Sequence, residues 1–296
     1  MYEFNVNLKP LLKQMEIFSK KDISGGGFAG GYTSVFKGRG LEFEGYREYT
    51  QTDDASLIDW KASLRSNELL VKEFAEERNV NVVFAFDVSS SMSYASTKKL
   101  KNEYAIELIA SIAFSILRAG DSIGLLMFSD KVKHYLKPAL GQKQYYVIVK
   151  SLLNPKLYEG GFELSTALSF LIANLKKGSI VILVSDFIGL KPGWQRVLDV
   201  AVKKFDIIGI MVRDPVDNEL PIKVGPVVIS DPFSEDELLI DPDFIKQKYD
   251  NYTKNERAII KEEFLKRRCG FIELTTDKPF EDEVLKFFKQ RVKQWR

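Results

Sequence analysis

From Asn79 onward the chain alternates short apolar runs with longer amphipathic ones. The runs "NVNVVFAFD", "DSIGLLMFSD", "SIVILVSDF", "DIIGIMVRDP" and "GFIELTT" read as buried strands. Between them, Thr97 to Arg118, "QKQYYVIVKSLL", "ELSTALSFLIANLKK", "WQRVLDVAVKKF", Asp241 to Arg268 and "FEDEVLKFFKQRV" place apolar residues at helical spacing. The first of these helices should stop near Gly120, a residue suited to a C-cap. "KVKHYLKP" reads as a short neighbour of the strand before it, and "GPVVIS" as a further strand. Apolar strands alternating with helices predict an α/β fold, Rossmann-like, with a mainly parallel central sheet flanked by helices.

Upstream of Asn79 the pattern changes. Leu11, Leu12, Met15, Ile17 and Phe18 cluster at roughly helical spacing and predict a short helix. "SGGGFAGGYTS" follows; it lacks the Lys-Ser/Thr ending of a phosphate-binding loop and no strand precedes it, so it reads as a turn. "LEFEGYREY" and "ELLVKEFA" have extended character. Residues 1–78 are therefore expected to form an irregular N-terminal arm packed on a main domain of residues 79–296.

Composition narrows the function classes. Of 296 residues 45% are hydrophobic and 28% charged, as in an ordinary globular chain, and a net charge of +2 gives no argument for a nucleic-acid partner. Cys269 is the only cysteine, which excludes an internal disulfide or a CxxC zinc site and suits a reducing compartment. The longest apolar stretch, "IELIASIAFSIL", is too short to span a bilayer, and "MYEFNVNLKPLLKQ" lacks the pattern of a leader. The expectation is a cytoplasmic protein with no transmembrane segment. His134, the only histidine, falls on an expected exposed edge strand, so no Ser-His-Asp or Cys-His system is assigned and no catalytic residue is named.

In a parallel sheet ligands bind beyond the carboxyl ends of the strands. Three such ends carry an acid: "FDVSSSM", "MFSD" and "LVSDF". The first spaces Asp87, Ser89 and Ser91 as D-x-S-x-S, and Asp186 in the third is a natural second acid. One or two carboxylates with hydroxyls and water suit Mg²⁺. The same residues also suit a turn and helix cap, and spacing alone leaves both readings open.

Asp87-x-Ser89-x-Ser91-Met92 after an apolar strand resembles the first loop of the von Willebrand factor A fold, which carries a metal-ion-dependent adhesion site. The segment Ser34 to Val80 strongly resembles the hallmark of the bacterial and archaeal domain of unknown function 58 family. Its matching residues are Gly38, Gly40, Glu42, Phe43, Arg47-Glu48-Tyr49, Asp53-Asp54, Ile58-Asp59-Trp60, Arg65 and Val71-Lys72. The likeness continues through "RDPVDNELP" and "FIELTTD". One departure matters: where the adhesion site usually takes a threonine from a G-G-T-x-x-x-x-A-L pattern, this chain has "GGFELSTAL", with Phe162 at that position. A phenyl ring offers no ligand, which leaves Glu163, Ser165 or Thr166 as substitutes.

The resemblance implies a metal set of Asp87, Ser89, Ser91, Asp186 and Thr166, holding Mg²⁺ (Mn²⁺ or Ca²⁺ as alternatives) weakly or not at all. It implies a non-enzymatic adaptor or co-chaperone that works with a MoxR-type AAA+ ATPase and an unknown client protein. On the residues alone Glu48, Asp53, Asp54 and Asp59 with Arg47, Lys61 and Arg65 read as solvated or mutually paired charges. The resemblance adds that Arg47, Glu48, Tyr49, Asp53, Asp54, Asp59, Trp60 and Arg65 dock the arm or a partner, with Trp60 as the packing anchor. Two other readings stand beside this one. One is a Mg²⁺-dependent phosphatase-like hydrolase, for which Ser89 occupies the place of the second acid of a D-x-D motif. The other is a structural A-type domain with a dead site.

Overall fold

The computed structural model describes residues 4–8, 43–50, 53–66, 68–74, 80–222, 224–234 and 236–294. The helix expected over residues 11–18 and the glycine-rich turn after it lie outside the described residues. In chain order the elements are β1 (Phe43–Glu48), α1 (Trp60–Ser66), β2 (Leu70–Phe74), β3 (Asn81–Asp87), α2 (Lys101–Arg118), β4 (Ser122–Phe128) and β5 (Val132–Ala139). Then come α3 (Gln142–Leu152), α4 (Leu164–Asn174), β6 (Ile180–Ser185), α5 (Trp194–Ala201), β7 (Asp206–Arg213) and α6 (Pro215–Asn218). The last are β8 (Val227–Ser230), β9 (Glu237–Ile240), α7 (Pro242–Lys266), β10 (Gly270–Thr275) and α8 (Glu281–Gln294).

The central sheet has six strands in the order β10-β7-β6-β3-β4-β5. All neighbours are parallel except the edge strand β5, which runs antiparallel to β4. Side chains on a strand alternate between faces, and β3 shows the consequence. Val82, Phe84 and Phe86 enter one core with Ile109 and Ile112 of α2, Ile148 of α3 and Phe288 of α8. Val83 and Ala85 enter the other with Leu168 of α4, Leu198 of α5 and Phe264 of α7. Burial on both faces explains why β3, β4 and β6 are apolar between their polar end residues. The expected mainly parallel α/β sheet flanked by helices is the observed one.

Several expectations need correction. α2 begins at Lys101, four residues after Thr97, because residues 90–93 form a separate 3₁₀ turn and the chain reaches the helix through Tyr94–Leu100. The arm carries regular elements at Phe43–Glu48, Trp60–Ser66 and Leu70–Phe74. β1 and β2 pair antiparallel and α1 connects them, a strand-helix-strand unit in which Tyr49 N–H donates to Leu69 O at 2.8 Å. Residues 4–8 meet the main body: Leu8 joins its core, and Asn5 N–H donates to Glu103 Oε1 at 2.6 Å. His134 does lie on edge strand β5, 3.1 Å from the Ser151 hydroxyl.

Candidate functional site

β3 and β6 lie side by side with Phe86 opposite Val184, so Asp87 and the Ser185–Asp186 pair leave the sheet together at its carboxyl end. The Ser185 hydroxyl donates to Asp87 Oδ2 at 2.6 Å and Ser89 N–H donates to Oδ1 at 2.9 Å. The Ser89 and Ser91 hydroxyl oxygens are 3.1 Å apart. Asp87, Ser89, Ser91 and Asp186 are all buried. Burial, reinforced by the nearby Asp186 carboxylate, pushes the Asp87 carboxyl up to about 7 against the hydrogen bonds it accepts from Ser185 and Ser89.

The neighbouring loops close around this cluster. Ser90 N–H donates to Gly160 O at 2.9 Å, and Gly160 N–H donates to Ser90 Oγ at 3.2 Å. Gly160 has φ 98°, and a Cβ there would stand 2.8 Å from Asp130 Oδ1, so glycine is what lets the loop seat against both neighbours.

Asp186 has a partner that the sequence reading did not supply. Its Oδ1 accepts the Ile188 N–H at 2.9 Å, while Oδ2 receives the Lys101 ammonium at 2.7 Å. Lys101 is only 1% exposed and also donates to Asp217 Oδ2 at 2.8 Å. Burial works against the ammonium form, but the two carboxylates outweigh it and raise the lysine's pKa. Asp217 Oδ2 also accepts the Asp214 N–H at 2.9 Å. Asp214, buried at the end of β7, receives Ser96 N–H at 2.8 Å, the Ser96 hydroxyl and Val216 N–H at 3.0 Å. The approach to α2, the end of β6 and the end of β7 are thereby cross-linked through polar side chains.

Lys101, Asp214 and Asp217 are thus site residues that sequence reasoning missed. Asp214 carried a usable signal, since "IMVRD" ends in an acid as "FAFD" and "LVSD" do. Lys101 carried none, because a lysine opening an amphipathic helix ordinarily faces solvent.

Thr166, proposed as a substitute ligand, donates its hydroxyl to the Asp130 carbonyl at 3.3 Å. Glu163 caps α4 through Ser165 N–H and pairs with Lys191 at 2.9 Å. Phe162 is buried and packs on Phe128 with ring centroids 6.0 Å apart. Phe162→Thr should therefore cost about 3 kcal/mol of stability by vacating core volume. Urea denaturation in chelator measures it, and a loss under about 1 kcal/mol would contradict the packing role.

The hallmark segment is organised by its own acids. Arg47 holds Asp53 through two bonds of 2.5 and 2.6 Å, and with the Thr50 N–H keeps that carboxyl well below the usual range. Asp54 accepts Ser56 N–H at 2.9 Å. Asp59 caps α1 by accepting Lys61 N–H at 3.0 Å and Ala62 N–H at 3.2 Å, and also takes the Tyr46 hydroxyl. That cap turns Ser63 inward, where its hydroxyl donates to Asp59 O and accepts Leu70 N–H. It turns Trp60 and Leu64, one helical turn apart, outward. Trp60 is 63% exposed and Leu64 84%, so the expected packing anchor is instead a solvent-facing apolar pair. Glu48, Asp54 and Arg65 are exposed as well.

The donor chemistry at the sheet end suits a hard cation. Asp87 is a buried carboxylate whose two hydrogen-bond donors, Ser185 Oγ and Ser89 N, are both neutral. Among the described residues no three His, Cys, Asp or Glu side chains gather tightly enough to hold a metal unaided. The fitting set is therefore Asp87 with the Ser89 and Ser91 hydroxyls.

The site and sheet together define an α/β protein with a polar cluster at the carboxyl edge of a mostly parallel sheet. The family model described as "Protein of unknown function DUF58" matches residues 45–259, and the chain belongs to that family. An uncharacterized protein of Mycobacterium tuberculosis is 24% identical over 290 residues, covering 96% of this chain and 90% of that one. Uncharacterized protein YeaD of Bacillus subtilis is 33% identical over 79 residues, covering 27% of this chain and 18% of that one. Among solved structures, an aerotolerance-related membrane protein from Bacteroides fragilis aligns over 73% of this chain and 100% of its own, with TM-score 0.48 and 15% identity. Among the described residues no helix is long and apolar enough to cross a membrane.

Proposed function

We propose that residues 79–296 form a von Willebrand factor A-type domain and that the chain is a non-enzymatic adaptor. In this reading it binds a MoxR-type AAA+ ATPase, and through it a client, at the carboxyl edge of the sheet. The observation that carries the reading is the meeting of Asp87, Ser89 and Ser91 with Asp186 on adjacent parallel strands, roofed by the Ser90–Gly160 loop contact. Burial sets the mode of action. Asp87 is wholly covered by the loops above it. Ser89, which stands where a D-x-D phosphatase has its second acid, carries a hydroxyl 3.1 Å from that of Ser91, which argues against the hydrolase reading.

Asp87 works instead from beneath, by holding the Ser89 backbone and so the loops that a partner meets. Around it stand the half-exposed ring of Tyr94 and the exposed Asp130. A bound Mg²⁺ would supply positive charge at Asp87 and a position for a partner's carboxylate. Co-purification with the ATPase is the test. Wild type should retain it in Mg²⁺, and Asp87→Ala should lose at least tenfold in affinity. Equal retention by both proteins would place the contact elsewhere.

A further inference from the structure

Lysine is an unexpected residue at the first position of α2. A cation there opposes the positive end of the helix dipole, and complete burial of an ammonium is costly unless it is paired. Yet Lys101 is 1% exposed, and its Nζ sits 2.7 Å from Asp186 and 2.8 Å from Asp217. The ring of Tyr94 lies 5.9 Å from the same nitrogen. The lysine therefore satisfies acids from two separate segments, the end of β6 and the first turn of α6. The first of these follows β6, whose end residue Ser185 bonds Asp87.

We infer that Lys101 is a built-in cation of this site, holding Asp186 and Asp217 in the place where a divalent metal's charge would otherwise be needed. Asp186 then takes no part in binding a metal while Lys101 holds it. A cation entering at Asp87, Ser89 and Ser91 finds an ammonium already in place beside the second acid. The sheet edge then keeps its shape without metal, and Lys101, besides Phe162, lowers its affinity for a cation. This rests on the proposed reading of the edge as a partner site with a metal preference, but it concerns only the residues that set that preference.

Mn²⁺ titration, followed by electron paramagnetic resonance and by thermal midpoint, tests it on wild type, Lys101→Met and Lys101→Met/Asp186→Asn. Lys101→Met frees Asp186 and should bind Mn²⁺ at least tenfold more tightly than wild type, with a midpoint low in chelator and restored by Mn²⁺. The double variant, which removes the freed acid, should return to within threefold of wild type. If Lys101→Met folds only when Mn²⁺ is present, the metal is replacing the lysine outright, which is the same result in stronger form. Mn²⁺ affinities within twofold for wild type and Lys101→Met would overturn the inference, as would a Lys101→Met protein that Mn²⁺ does not restore. Either failure is separate from failure of the adaptor reading, which is decided by ATPase retention in Asp87→Ala.

Discussion

Lys101→Met in chelating buffer is expected to lose roughly 3–5 kcal/mol of folding stability, because removing one partner of a buried ion pair leaves the others uncompensated. The arithmetic is unusual here, since one ammonium serves two carboxylates, Asp186 and Asp217, and the first of these is completely buried. Replacing the acid as well should recover much of the loss: in Lys101→Met/Asp186→Asn only one of the lysine's two acid partners, the partly exposed Asp217, remains. Equilibrium urea denaturation of the three proteins gives the comparison. A single variant that loses less than about 1 kcal/mol, or a double variant less stable than the single one, would mean the contact is incidental.

Asp87→Asn should remove most of a pH dependence that wild type carries in the absence of metal. The folded-state pKa is raised from 3.8 to about 7, so the folded protein keeps a proton that the unfolded chain releases. The stability this group contributes is full below about pH 4 and falls as pH rises toward 7. Between pH 5 and pH 8 the loss should be roughly 2–3 kcal/mol, with no further change above that range. Asparagine cannot ionise; its amide oxygen can keep the Ser89 N–H, while its NH₂ takes the place of the oxygen facing Ser185, whose hydroxyl must turn to accept it. The variant should be nearly flat over the same interval. Mg²⁺ requires the ionised carboxyl and should oppose the alkaline loss in wild type alone. Parallel slopes for the two proteins in chelator would show that Asp87 is not the titrating group.

Much of this edge is legible in the sequence because buried parallel strands announce their own ends. "FAFD" and "LVSD" are apolar until the residue that leaves the sheet, and that residue is an acid in each case. Strand adjacency then does the rest: β6 lies beside β3, although residues 88–179 separate them in the chain. What could not be read was charge pairing across elements. Lys101 looks like the solvated start of a helix until the topology sets β6 and α6 against it. β9 was missed for a different reason: "ELLI" pairs only with β8, in a two-stranded sheet whose residues are largely exposed, so no one-sided burial pattern marks it. In the hallmark segment the capping role of Asp59 decided the outcome, and it turned Trp60 outward.

The exposed pair of Trp60 and Leu64 also offers a surface to a partner. The proposed contact lies at the sheet edge, and amide hydrogen exchange of the chain alone and with the proposed MoxR-type partner tests this most directly. A partner bound there should slow exchange in residues 89–96 and 186–193, the loops that follow β3 and β6. Slowing confined to residues 43–74, with those two loops unchanged, would contradict it.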